Sequence, residues 1–159
     1  MATRYVLTDY VGQAMSEAVY DKLEDGTYTG RIPSCQGVVA FGACLRECEE
    51  ELRSVLEDWI LLGLRLAHPL PVIAGSISTG NLPVSRLTPC RRSDFIRRLR
   101  ALGFDGPYSG SRHQFMVHGQ KRLTIPSNNE YSVPQLRVMM REIELVLGRQ
   151  IALEEWDSL

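Results

Sequence analysis

His68, His113 and His118 are the three imidazoles of this 159-residue sequence, and imidazole is the side chain whose ordinary pKa lets it take or give a proton near neutrality. Cutting RNA without a metal would use such a group as base near the ribose 2′-hydroxyl or as acid near the leaving 5′-oxygen, with cations steadying the phosphate. His113 lies in "YSGSRHQFMVHG", residues 108–119, after a Gly-Ser-Arg loop and at the start of an apolar alternation. Arg112, Lys121 and Arg122 can meet it across a small sheet, and Arg97 and Arg98 add further candidate phosphate contacts. Spacing alone leaves two readings of His113 open, a proton-transfer group or a polar residue at a strand start. His68, in "LAHPLP", reads as a packing or capping residue at a helix end, and His118, before Gly119, as an exposed turn.

Other chemistries have less support. The cysteines, at 35, 44, 48 and 90, form no CxxC pair. Cys44 and Cys48, four apart on a predicted helix, share a face without easy bridging, and buried small thiols are the expectation. The sequence has no GxxxxGK[ST], HExxH or GxSxG motif, so the phosphate-loop, zinc-protease and hydrolase-elbow readings lose support. Asp21, Glu24, Asp25 and Glu47 could be imagined around magnesium, but a turn explains Asp25 and an exposed helix face the glutamates. Neither a metal nor a cofactor is expected.

Charge divides the chain. Residues 1–75 carry 6 Lys/Arg against 11 Asp/Glu, net −5, and residues 76–159 carry 12 against 8, net +4. Such asymmetry suggests internal pairing or a nucleic-acid face on the basic half, and charge alone also fits two differently charged solvated surfaces. The opening "MATRYVLTDYVGQAM" has no signal-peptide pattern, and the longest apolar run is broken by Arg65, His68 and two prolines. A soluble cytoplasmic protein without a membrane partner is expected.

The elements that must position these residues follow from periodicity. A short leading helix precedes two strands around Asp25-Gly26, a dipeptide suited to the positive φ of a hairpin, and "VVAFG" reads as a third strand. From Ala43 the apolar residues Leu45, Cys48, Leu52, Val55, Leu56, Trp59 and Ile60 fall at helical spacing, with an acidic outer face of Glu47, Glu49, Glu50 and Glu51. Pro69 and Pro71 end that helix, and "LPVI" is expected as an edge strand. Residues 74–88, rich in Gly, Ser and Thr, read as a linker with a span of roughly 20 Å. The second half reads α-β-β-β-α: Phe95, Ile96, Leu99 and Leu102 on a first helix stopped by Gly103, strands over 104–108, 113–117 and 122–125, then a helix capped by Ser132 and Gln135 and stopped by Gly148. "ALEEWDSL" is expected as a short acidic tail. The fold class is therefore α+β, in two small domains over 1–73 and 89–159, each closing its own core.

Residues 17–73, from "YDKLEDGTYTGRIP" through "GVVAFGACLRECEEELRSVL" to "HPLPVI", resemble the HicB antitoxin pattern of hairpin, Gly-Val strand and acidic helix. Residues 87–156, with "LRALGF", "GSRH", "QFMVHG" and "LTIP" in order, resemble the HicA toxin. The resemblance implies a partial ribonuclease-H-like fold without catalytic carboxylates for the first half. For the second it implies a double-stranded-RNA-binding-like fold and metal-independent mRNA endonuclease activity, with His113 in the place of the family's functional histidine. Many relatives carry a second histidine where this chain has Arg112, and Cys44 stands where HicB often has threonine. The toxin-like half also occupies the place of the DNA-binding module that HicB proteins often carry, so DNA binding is not expected.

The resemblance further implies an antitoxin half docked on a toxin half, within one chain or between chains of a swapped homo-oligomer. Glu47, Glu50 and Glu51 are the expected antitoxin contact face. A non-catalytic RNA-binding module and a decoy or immunity-type regulator are the competing expectations.

Overall fold

The computed structural model describes residues 6–73 and 87–159, and the expected linker lies, but for Leu87 and Thr88, outside them. Helix α1 (Val6–Ser16) turns Val11 and Ala14 inward. Strands β1 (Val19–Lys22), β2 (Tyr28–Arg31) and β3 (Val39–Gly42) form an antiparallel sheet in that order. The hairpin turn departs from expectation, because Asp25 does not share the positive φ of Gly26, +85°. Asp25 instead holds the loop as an acceptor, its Oδ1 taking the Thr27 N–H at 2.9 Å and the Thr27 hydroxyl at 2.6 Å.

Helix α2 (Leu45–Arg65) buries Cys48, Leu52, Val55, Leu56, Trp59, Ile60 and Leu62. Cys44 is its N-cap and is exposed, so the expected shared face with buried Cys48 does not form. The helix closes with Ala67 at φ +57°, and the His68 N–H returns to the Gly63 carbonyl at 2.8 Å. This closure usually takes glycine, and it folds His68 back over the helix end. The expected strand over "LPVI" is absent, since residues 68–73 are irregular. Two prolines deny that segment ladder donors, and the Pro71 carbonyl accepts from the Tyr10 hydroxyl at 2.7 Å.

The second half contains β4 (Cys90–Arg91), α3 (Arg92–Ala101), β5 (Asp105–Ser109), β6 (Gln114–His118), β7 (Lys121–Ile125), β8 (Glu130–Tyr131), α4 (Val133–Leu147) and α5 (Leu153–Ser158). The predicted α-β-β-β-α frame is present, with an antiparallel sheet of order β5-β6-β7. The Ser132–Gln135 capping box forms, and Gly148 closes α4 at φ +72°. Two features exceed the prediction. The β4–β8 ladder, two residues on each side, is too short to show alternation. The expected tail is helical and buries Trp156 to 1% exposure, its ring 5.9 Å from Phe95.

The fold is α+β, as the element order predicts. Each half has an apolar cluster, but each borrows from the other. Val39 and Phe41 of β3 join the cluster of Phe95, Leu99, Met116, Leu123, Leu136 and Ile143. Phe115 of β6 joins the cluster of Ile32, Val38, Ala40, Leu52, Leu56 and Trp59. Because successive residues of a strand face opposite ways, β3 and β6 each have two buried faces. Their near-continuous apolar runs follow from that placement.

Candidate functional site

The loop Gly110–His113 joins β5 to β6 and is closed by the Gly110 N–H on the His113 carbonyl at 2.8 Å. Asp58 reaches it from α2, with 3% exposure. Its Oδ1 accepts the Ser111 N–H at 3.1 Å and the Ser111 hydroxyl, and its Oδ2 accepts the N–H groups of Arg112 at 2.9 Å and His113 at 3.0 Å. Burial alone would raise the Asp58 pKa, but these hydrogen bonds together outweigh it and hold the carboxyl below its usual range. A Cβ on Gly110 would stand 3.0 Å from the Asp58 carboxyl, so the approach suits a residue without one.

His113 itself is 7% exposed. Its Nε2 lies 3.1 Å from Ser54 Oγ and its Nδ1 3.4 Å from Glu51 Oε1. Glu51, Ser54 and Asp58 occupy positions i, i+3 and i+7 of α2, so one helical stripe takes both the imidazole and its loop. A cleft of about 590 Å³ opens beside them, lined by Glu47, Glu50, Glu51, Ser54, Arg112 and His113 among others.

The remaining candidates are dispersed. Arg122, expected as a phosphate contact, is 1% exposed. Its guanidinium lies 3.9 Å over the Trp59 ring, its Nε donates to the Trp59 carbonyl at 3.0 Å, and Trp59 Nε1 donates to the Arg122 carbonyl at 3.2 Å. His68 Nδ1 meets Arg122 Nη1 at 2.8 Å, and burial, then the Arg122 charge, lowers the His68 pKa. Arg97 donates to the Leu159 carbonyl and Arg98 stacks on Trp156, so both serve α5 rather than the His113 cleft. Lys121 is exposed, with Nζ 3.5 Å from the Leu145 carbonyl, and His118 packs half-buried against Phe104. Of the expected basic residues, Arg112 shares the cleft with His113.

On the acidic side, Glu51 alone of the expected three touches His113. Glu47 accepts the Ala43 N–H and Glu50 pairs with Arg46 on the surface. Elsewhere the halves meet through other side chains: Ser132 donates to Asp25, Gln135 to Thr27, and Arg137 lies 3.6 Å from Glu24.

Residues 9–71 match the UPF0150-like family model. Over those residues the chain is similar to the UPF0150-like family. The family is related to HicB, which agrees with the antitoxin-like reading of the first half. A solved structure, TTHA0281 from Thermus thermophilus, is 34% identical, with 46% of this chain and 100% of that chain covered and a TM-score of 0.40. No curated protein matches the chain. No described helix is long and apolar enough to cross a membrane.

A second contact joins the UPF0150-like domain to the other half. The Gly37 carbonyl accepts the Thr124 N–H at 2.9 Å and the Thr124 hydroxyl at 2.6 Å, covering the edge of β7. The Gly37 N–H donates to Glu142 Oε2 at 3.1 Å. Burial pushes the Glu142 carboxyl up to about 7, against smaller opposing effects of that N–H, Arg31 and Arg141. A carboxyl raised on folding binds its proton more tightly in the native state, so its stabilising contribution is lost as pH rises from the ordinary carboxylate range through about 7. Glu142→Gln, which keeps an acceptor for Gly37, is expected to be more stable than the parent at pH 8 by up to ~3 kcal/mol, and about equal at pH 4. Urea denaturation at the two pH values measures this, and an unchanged pH slope in the variant would contradict it.

Sequence reading missed Asp58, Ser54, Gly37 and Glu142. A signal was present for Asp58: it shares the helical period of Val55 and Leu62, both buried, instead of the outer acidic face. An acid in the apolar register of a helix needs a buried partner, and here the partner is a loop 53 to 55 residues away.

Proposed function

We propose that the chain is a self-inhibited RNA endonuclease. A HicA-like second half cuts mRNA without metal by proton transfer through His113, and the HicB-related UPF0150-like domain holds it inactive. The supporting observation is the placement of His113: both ring nitrogens face α2 groups, Ser54 and Glu51, instead of open solvent. A general acid or base must come within hydrogen-bond reach of the atom it serves, and in this arrangement α2 fills that space. Arg112, exposed on the cleft, is the cation available to steady a phosphate.

The test compares RNA cleavage by the full chain, by residues 86–159 expressed alone, and by that fragment carrying His113→Ala. The isolated half is expected to cut and the full chain not. Loss of the imidazole should slow the fragment by ~10²–10⁴-fold. A folded fragment that binds RNA in a salt-sensitive way and never cuts it would make this a binding module.

A further inference from the structure

Four donors of one loop converge on a carboxylate supplied by the other half of the chain. Successive backbone N–H groups aimed at one point form an anion-binding concavity, and here the N–H groups of Ser111, Arg112 and His113 are joined by the Ser111 hydroxyl. An ionised carboxylate, with two acceptor oxygens and no donor, fits such a set. Asp58 has no ion-pair partner among the described residues. Its buried charge is met by the loop's donors. Since the nest includes the N–H of His113 itself, whatever anion occupies it sits beside the residue whose imidazole faces Ser54 and Glu51.

We infer that the Ser111–His113 loop is a phosphate-binding nest for an RNA strand, and that Asp58 occupies it as an internal stand-in for the phosphate. The two oxygens of the carboxylate, each taking two donors, occupy the places of two non-bridging phosphate oxygens. Docking of the UPF0150-like domain then fills the anion site with Asp58 while Glu51 and Ser54 engage the imidazole. Assigning the phosphate to RNA rests on the ribonuclease reading; the anion site does not.

The experiment uses the full chain at constant ionic strength, with inorganic phosphate as probe and chloride as control. In Asp58→Ala, phosphate at about tenfold excess over its dissociation constant is expected to raise Tm by about 3 °C. It should also move the amide resonances of Ser111, Arg112 and His113 downfield. The parent chain should show neither response at the same concentrations. Asp58→Asn, which removes the charge and keeps the volume, is expected to respond in the same direction more weakly. If it alone folds, its response decides the matter. A folded variant whose three amides ignore phosphate would overturn the nest, as would a parent chain that responds equally.

A short RNA strand forms the second arm, and Asp58→Ala is expected to bind it about tenfold more tightly than the parent. Phosphate bound at the loop without gain in RNA binding would keep the nest and overturn its assignment to RNA. His113-dependent RNA cleavage by Asp58→Ala, with no phosphate response at these amides, would keep the ribonuclease and overturn the nest.

Discussion

Gly37→Ala is expected to lower the unfolding free energy by roughly 3 kcal/mol or more, through left-handed strain and overpacking acting together. Gly37 has φ +94°, and a Cβ there would lie 1.7 Å from the Arg122 carbonyl oxygen and 3.2 Å from the Leu123 Cα. These are backbone atoms of β7, so no rotamer change relieves the overlap. The loop must lift, and lifting it breaks the Gly37 bonds to Thr124 and Glu142. Gly26→Ala provides the comparison, since Gly26 has a similar φ, +85°, with nothing within 4 Å of its added Cβ. It should cost only about 1 kcal/mol, the ordinary penalty of a left-handed alanine. Urea denaturation of both variants separates strain from close approach, and equal losses would mean that the Gly37 contact contributes nothing of its own.

Trp59→Ala should cost about 3–5 kcal/mol, the usual range for truncating a buried tryptophan. Trp59 is 4% exposed and meets Arg122 three times: ring against guanidinium, indole N–H to carbonyl, and carbonyl to Nε–H. Truncation leaves the buried Arg122 charge beside a void. That charge is already strained, because burial depresses its pKa to about 10 and its Nη2 has no hydrogen-bond partner. Gly63 tightens the site further, since any Cβ there would come within 2.5 Å of the guanidinium. Replacing the charge with an apolar chain of similar length is a different matter, and Arg122→Met is expected to change stability by no more than about 1–2 kcal/mol, in either direction. Thermal and urea unfolding of both variants checks the contrast. A Trp59→Ala loss under about 1 kcal/mol would show that the two halves are held together elsewhere.

Much of the fold could be read from local chemistry. The Ser132–Gln135 box, the left-handed glycines at 103 and 148, and the period of α2 each depend on residues within a turn or two of one another. The tertiary contacts could not be read in that way. Arg122 reads from sequence as a candidate phosphate contact because strand position does not reveal which neighbour lies above it, and the neighbour is Trp59, 63 residues earlier. Charge asymmetry suggested docking by opposite charge. Most of the acidic helix face stays in solvent, and the loop of His113 is met by the inward Asp58, with Glu51 and Ser54 on the imidazole. His113 was singled out from its motif, but its partners depend on the side of α2 that faces β6, a question no local pattern answers.

The two-faced strands set a condition on any opened form of the chain. Parting the halves would wet Val39 and Phe41 on one side and Phe115 on the other, all now in closed apolar clusters. Exposed strips of this kind favour self-association and capture by proteases. An opened molecule would therefore differ from the closed one in solubility and lifetime as well as in access to His113, and redocking would compete with aggregation from the moment of release.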